Sequence, residues 1–140
     1  MTTIVRPAVT AQQVARDVRV KGASTRSIVM GVLPPTAGYA VSLPDHEWTY
    51  RLPSSDKALQ VMVGLYADYY RNELTKPSHY LSAGVDGDTL YLDVSQVVPE
   101  RAVALRLGRE RNQQTVFDLA RGEDVKVAPE QNITAEETGS

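Results

Sequence analysis

Cysteine is absent from the 140 residues. That excludes a disulfide frame, a thiolate zinc site and a cysteine nucleophile. Small secreted domains usually lean on disulfides, so the expectation is a cytoplasmic protein. Long apolar runs are lacking too: no stretch nears the roughly 18 residues a membrane-spanning helix needs. The N-terminus has no uninterrupted apolar block of the signal-peptide kind, because Arg6 is followed by Gln12, Gln13 and Arg16. No membrane partner is expected. Histidine is limited to His46 and His79, which leaves few actors for imidazole base or metal chemistry. No Walker loop, dinucleotide fingerprint, nucleophile elbow or zincin motif occurs. The reading therefore assigns no catalytic residue, no cofactor and no metal.

Net charge is small, at -2, which argues against wholesale coating of nucleic acid. The charge is unevenly spread. Residues 1 to 30 carry Arg6, Arg16, Arg19, Lys21 and Arg26 against Asp17, whereas residues 122 to 140 carry Lys126 against Glu123, Asp124, Glu130, Glu136 and Glu137. Such asymmetry fits a basic arm or two solvated ends. With 42% hydrophobic residues, the chain has material for one modest core. The expected organisation is an irregular lead-in over 1–9, a single α+β domain over 10–128 and a disordered acidic tail over 129–140.

The clearest local signals lie between Ser78 and Leu119. Asp86-Gly87 reads as a two-residue turn closing a hairpin. Counting outward puts Ala83 opposite Leu90, Leu81 opposite Leu92 and His79 opposite Val94 on an apolar face. Tyr80 opposite Asp93 and Ser82 opposite Tyr91 then form a polar one. Val98-Pro99-Glu100-Arg101 starts a helix running to about Arg111, with Val98, Ala102, Val103, Leu105 and Leu107 as its apolar stripe. Asn112 is its left-handed stop, and Thr115 to Leu119 reads as a strand.

Upstream, Thr10-Ala11-Gln12-Gln13 has the form of a capping box, predicting a helix from there to Lys21 with Gly22 as its end. Residues 27–32 read as an edge strand. Tyr39, Val41 and Leu43 alternate with polar or small residues, as do Trp48, Tyr50 and Leu52, and Leu43 to Glu47 is the turn of a second hairpin between them. Ser54 or Ser55 caps the longest helix, which runs to about Leu74. Its stripe is Leu59, Met62, Val63, Tyr66 and Tyr70, widened by Val61, Leu65 and Tyr69, so that helix is expected to be mostly buried. Arg121-Gly122 and Val125 to Val127 suggest a last turn and a short edge strand.

Each group of chemistry-bearing residues has a plain structural reading. Asp45, His46 and Glu47 are neighbours on a turn and do not converge on one ion. Asp86, Asp88 and Asp93 are separated by the pleat and lack the other ligands of a calcium loop. Arg101, Arg106, Arg109 and Arg111 spread around their helix, with Arg106 and Glu110 as an ordinary (i, i+4) pair. Tyr80, Tyr91 and Asp93 share the face opposite the aliphatic residues and are the candidate interaction surface, either covered by a second layer or displayed to a partner.

The stretch Leu90-Tyr91-Leu92-Asp93-Val94-Ser95, then Pro99-Glu100-Arg101-Ala102, then Gly108 to Leu119 resembles small uncharacterised proteins encoded by actinobacteria and their phages. In those a "YLDVS" strand precedes a helix and a strand ending in Asp-Leu. The resemblance covers residues 90–119 and implies a phage or prophage accessory setting, in the cytoplasm of a bacterial host, without any catalytic residue.

The expected fold is α+β: an antiparallel sheet with helices on one face, a ferredoxin-like β-α-β-β-α-β core, an N-terminal helix and an extra hairpin strand. The expected function is non-enzymatic binding to a protein or to itself, as a homodimer packed sheet to sheet. The alternative is nucleic-acid binding through Arg16, Arg19, Lys21, Arg106 and Arg109, and the second alternative is a small enzyme.

Overall fold

The computed structural model describes residues 4–128. The acidic tail expected from residue 129 lies outside them, as do the first three residues of the lead-in. The elements run α1 (Pro7–Lys21), β1 (Ala23–Arg26), β2 (Tyr39–Ser42), β3 (Trp48–Arg51), α2 (Asp56–Tyr69), α3 (Arg71–Leu74), β4 (His79–Asp86), β5 (Thr89–Val98), α4 (Arg101–Glu110), β6 (Thr115–Asp118) and β7 (Glu123–Lys126). The protein is α+β, and all its strand pairings are antiparallel. The sheet has seven strands in the order β1-β4-β5-β2-β6-β7, with β3 also on β5, and it curls into a half-barrel.

α1 starts three residues earlier than the capping box predicts. Pro7 supplies the first helical turn, where its missing N–H costs nothing. Thr10 lies inside the helix, buried, and its hydroxyl donates to the Ser27 carbonyl at 3.3 Å. Gly22 ends the helix in the left-handed conformation, φ 79°, as expected. The chain then turns directly into β1, so the strand lies at 23–26 instead of 27–32. Ile28 is buried in the core beyond it, and Val29 forms only an isolated bridge with Val5.

The hairpin of β4 and β5 forms, shifted by two residues from the expected register. Its central turn residues are Gly87 and Asp88, with Asp86 paired to Thr89 and only Gly87 at positive φ (61°). Leu81 faces Val94, Ala83 faces Leu92, Tyr80 faces Ser95, and Asp93 faces Ser82. A slip of two preserves parity, so each side chain keeps its predicted face.

The second expected hairpin does not form. β2 pairs with Ser95–Val98 and β3 with Thr89–Leu92, both antiparallel to β5, while β4 takes the other edge of β5. β2 and β3 are therefore successive pieces of one line of chain. The Leu43 N–H still donates to the Val94 carbonyl at 2.9 Å. Pro44, which has no N–H to offer the ladder, and Asp45 at φ 62° then carry the chain out and back to the same edge. The outer edge of β3 has no strand partner among the described residues.

All the main helices cover one face of this sheet. Leu90, Leu92, Val94 and Val98 alternate along β5 onto that face. α1 and α2 pack over Leu81, Ala83, Leu90, Leu92 and Val94, while α4 packs over Val41, Val98 and Val116. α4 buries Ala104 and Gly108; Val103, Leu105 and Leu107 are only half-buried and Ala102 is exposed. Gly108 allows that approach, because a Cβ there would lie 2.8 Å from a Val127 methyl. No helix among the described residues is long and apolar enough to cross a membrane.

Candidate functional site

The face of the sheet without helices is concave and polar. Period-two alternation brings Tyr80, Ser82 and Gly84 of β4 and Tyr91, Asp93 and Ser95 of β5 to it, and Ala40 and Ser42 arrive from β2 by register with Val97 and Ser95. The half-barrel leaves a groove of about 600 Å³ here. Asp93 sits on its floor. Ser42 Oγ donates to Asp93 Oδ2 at 2.7 Å and Ser95 Oγ to Oδ1 at 3.0 Å, while Ser82 Oγ donates to Ser95 Oγ at 2.9 Å. Burial raises the Asp93 carboxyl above the ordinary carboxylate range; the two serine hydroxyls oppose the shift, nearby Glu47 adds to it and His46 opposes it. Of the expected interaction surface, Tyr91 and Asp93 line the groove, while Tyr80 is half-buried beside it and is not part of its lining.

A raised carboxyl gives a signed prediction. The folded protein holds this proton more tightly than the unfolded chain, so stability falls as pH rises from the ordinary aspartate value through the raised one. Above that window the ionised group remains a cost. Asp93→Asn, whose amide can still bridge the two serines, is expected to raise the urea midpoint at pH 7 and to flatten this part of the pH profile. An unchanged or lower midpoint at pH 7 would contradict it.

A second surface is apolar. Trp48 and Tyr50 of β3 lie on the helix-bearing face, paired with Leu92 and Leu90. The Trp48 ring packs edge-on to Tyr66 with centroids 5.0 Å apart, and Tyr69 and Tyr70 lie 5.4 and 5.9 Å from it. Tyr66 is fully buried and its hydroxyl donates to the His46 carbonyl at 2.6 Å, which ties the Pro44–Glu47 excursion to α2. Burial pushes the Tyr66 phenol up, and the Asp93 charge adds to the shift. The widened stripe of α2 is not covered as expected: Val61, Leu65 and Tyr69 are 55%, 62% and 71% exposed. Buried residues Leu59, Val63, Tyr66 and Ala67 cluster on the opposite side. With Trp48, Tyr50 and Met62, Val61 and Leu65 form an apolar groove of about 470 Å³ along the free edge of β3. The helix also breaks at Tyr70, so α2 has 14 residues against 15 in α1 and is not the longest.

The five basic candidates do not converge. Arg16, Arg19 and Lys21 belong to α1, where Arg19 Nε is bound to Asp56 Oδ1 at 2.9 Å. Arg106 and Arg109 belong to α4, which packs in a separate core cluster over β2 and β6. The histidines stay local: His79 Nδ1 lies 2.8 Å from the Pro77 carbonyl, and His46 Nδ1 contacts that of Pro44. No group of three potential metal ligands occurs among the described residues. No family model, curated protein or solved structure matches this chain.

Sequence reasoning placed Tyr91, Asp93 and Ser82 on one face, but set Ser82 opposite Tyr91 instead of Asp93 and missed Ser42 and Ser95 as the donors to that carboxylate. The signal was present in the hairpin. Taking Gly87 as the first central residue of the turn, the position that a two-residue loop with one positive φ assigns to glycine, sets Ser82 opposite Asp93.

Proposed function

We propose that the protein is a non-enzymatic accessory protein that acts by self-association, pairing as a homodimer through the free edge of β3 and the exposed side of α2. The observation that carries this is the self-complementary stripe on α2. Lys57, Val61, Leu65 and Tyr69 recur every four residues, and Asp68 stands beside Tyr69 on the same side. Two copies packed antiparallel about a two-fold axis set Val61 against Leu65 and bring Lys57 of one copy to Asp68 of the other.

The adjoining strand supports the same axis. Antiparallel pairing of two β3 edges sets Trp48 opposite Tyr50 of the second copy, both on the helix-bearing face, as a cross-strand aromatic pair, and satisfies backbone groups that the edge leaves open. The expected sheet-to-sheet dimer is less suitable, because the open face presents a hydroxyl-ringed carboxylate where that dimer needs apolar cover.

The arrangement also supports the ferredoxin-like reading. Taking β2 and β3 as one interrupted strand, the four central strands lie in the order β6, β2/β3, β5, β4, with β1 and β7 added at the edges. The resemblance of residues 90–119 to actinobacterial and phage proteins supports an accessory role in a bacterial cytoplasm.

Light scattering tests the reading. The wild type is expected at twice the monomer mass, independent of salt. Leu65→Glu, at an exposed site, is expected to keep its circular dichroism and raise the dimer dissociation constant at least about thirtyfold, the equivalent of roughly 2 kcal/mol. A wild-type monomer, or a dimer indifferent to Leu65→Glu, would rule this interface out. Retention on DNA that weakens with salt would favour the basic residues of α1 and α4 instead.

A further inference from the structure

We infer that the concave groove is a binding site for a linear aliphatic polyamine, seated on the Asp93 carboxylate with Tyr91 beside it and Phe117 further along the groove. Three features of the groove carry this, and none depends on the dimer.

The groove is built. Its floor is made of short side chains, Ala40, Ser42, Ser82 and Ser95 with Gly84, so the concave surface has depth where larger residues would fill it. A Cβ placed on Gly84 meets nothing within 4 Å, which shows that the space over β4 is open. The polar atoms of the floor are fixed in a hydrogen-bonded chain from Ser82 through Ser95 to Asp93, closed on the other side by Ser42.

The charge is of one sign. Glu47, Asp86, Asp93 and Asp124 line the groove, and no lysine, arginine or histidine does so among the described residues. Asp93 is the member that differs from a solvated surface acid. It is held at the centre of the sheet, receives two hydroxyl donors and has no ion-pair partner among the described residues. Asp93 is half-buried, and partly desolvating a carboxylate without a counter-charge carries a cost that a neutral side chain of the same shape would avoid. A cation arriving from outside compensates it.

The neighbours select the kind of cation. Tyr91 stands two residues along β5 from Asp93, and Phe117 lies two strands away on β6 in the other direction, level with Val97 through Ala40, both on this face. Aromatic rings beside a carboxylate suit an ammonium group with methylene carbons, which gains ring-face attraction and apolar contact together. A hydrated divalent metal gains neither. Asp86 at the β4 end and Asp124 at the β7 end extend the acidic lining to both sides of Asp93, which suits a linear amine with more than one charge.

The test is isothermal titration of the full chain with spermidine at low ionic strength and pH 8, with putrescine and magnesium chloride as parallel arms. Spermidine is expected to bind saturably at one site per chain, putrescine more weakly, and magnesium without displacing spermidine. Asp93→Asn is expected to weaken spermidine at least tenfold. Gly84→Val, which keeps every charge and fills open space above β4, is expected to weaken it comparably. Asp56→Asn, on α2 away from the groove, and the dimer-breaking Leu65→Glu are expected to bind as wild type does. No saturable heat with either amine, full affinity in Asp93→Asn or Gly84→Val, or competition by magnesium would each overturn the assignment.

Discussion

Tyr66→Ala is expected to cost about 3–5 kcal/mol of unfolding free energy, read as a large drop in the urea midpoint at unchanged slope. The residue is fully buried in the last turn of α2 and belongs to the same core as Leu90, Leu92 and Val94. Its ring packs edge-on to Trp48 and lies 4.8 Å from Tyr70, so truncation removes aromatic pairs as well as buried area. The hydroxyl has a separate task. It is the donor to the His46 carbonyl, within the excursion that returns the chain to the edge of β5. Tyr66→Phe isolates that task and is expected to cost about 1–2 kcal/mol, the lower part of the range for an acceptor left without its donor, because the His46 carbonyl is only part-buried. The tryptophan emission of Trp48 should shift in both variants, because Trp48 follows that excursion directly. Equal costs for the two substitutions would mean that the hydroxyl, not the packing, carries the contribution.

The same region marks where the sequence was readable and where it was not. Signals confined to a few residues were legible: glycine at the end of α1, Ser55 capping α2 through the Ala58 N–H at 3.1 Å, and Asn112 in the left-handed conformation after α4. Facing along the β4–β5 hairpin was legible as well, since the pleat depends only on parity, and a register error of two left it intact. The path from β2 to β3 was not. Leu43 to Glu47 carries turn residues, but the same residues serve a reversal and an outward excursion, and the choice is made by which edge supplies hydrogen bonds afterwards. That edge belongs to β5, about fifty residues later in the chain.

The candidate sites follow the same division. Apolar residues on α2 were legible as apolar, but their periodicity covers more than half the helix circumference and does not say which part meets the core. Val61, Leu65 and Tyr69 face outward because α1 and the sheet take the other sides, with Gly64 set against Ala11 at 3.9 Å from an added Cβ. The polar groove needed three strands in register before Ser42 and Ser95 could meet on the Asp93 carboxylate with Ser82 bonded to Ser95. The hairpin turn records the β4–β5 part of that convergence, and no local pattern records the arrival of Ser42 from β2.

Gly38→Ala is expected to destabilise the protein by about 2–4 kcal/mol, although the change adds one methyl group to a loop residue. Two effects coincide there. Gly38 has φ +90°, a conformation that costs a residue with a side chain roughly 1–3 kcal/mol. An added Cβ would also lie 2.9 Å from the Val98 carbonyl oxygen and 3.3 Å from a Val97 methyl. The nearer neighbour is backbone, which cannot turn aside as a long side chain can, so strain of the overpacking kind adds to the first cost. The position matters because β2 starts here between two strands. Tyr39 pairs with both Val98 and Asp118, and the Gly38 carbonyl accepts the Leu119 N–H at 3.0 Å. Relieving the clash by moving Gly38 outward would pull β2 away from β5 or β6, loosening the α4 core at Val41, Val98 and Val116. Amide hydrogen exchange is therefore expected to speed up in β2 and β6 and to stay near the wild-type rate in the β1–β4 edge. A uniform acceleration across all strands would mean that the sheet opens as one unit, and a neutral substitution would mean that the loop before β2 absorbs the methyl group.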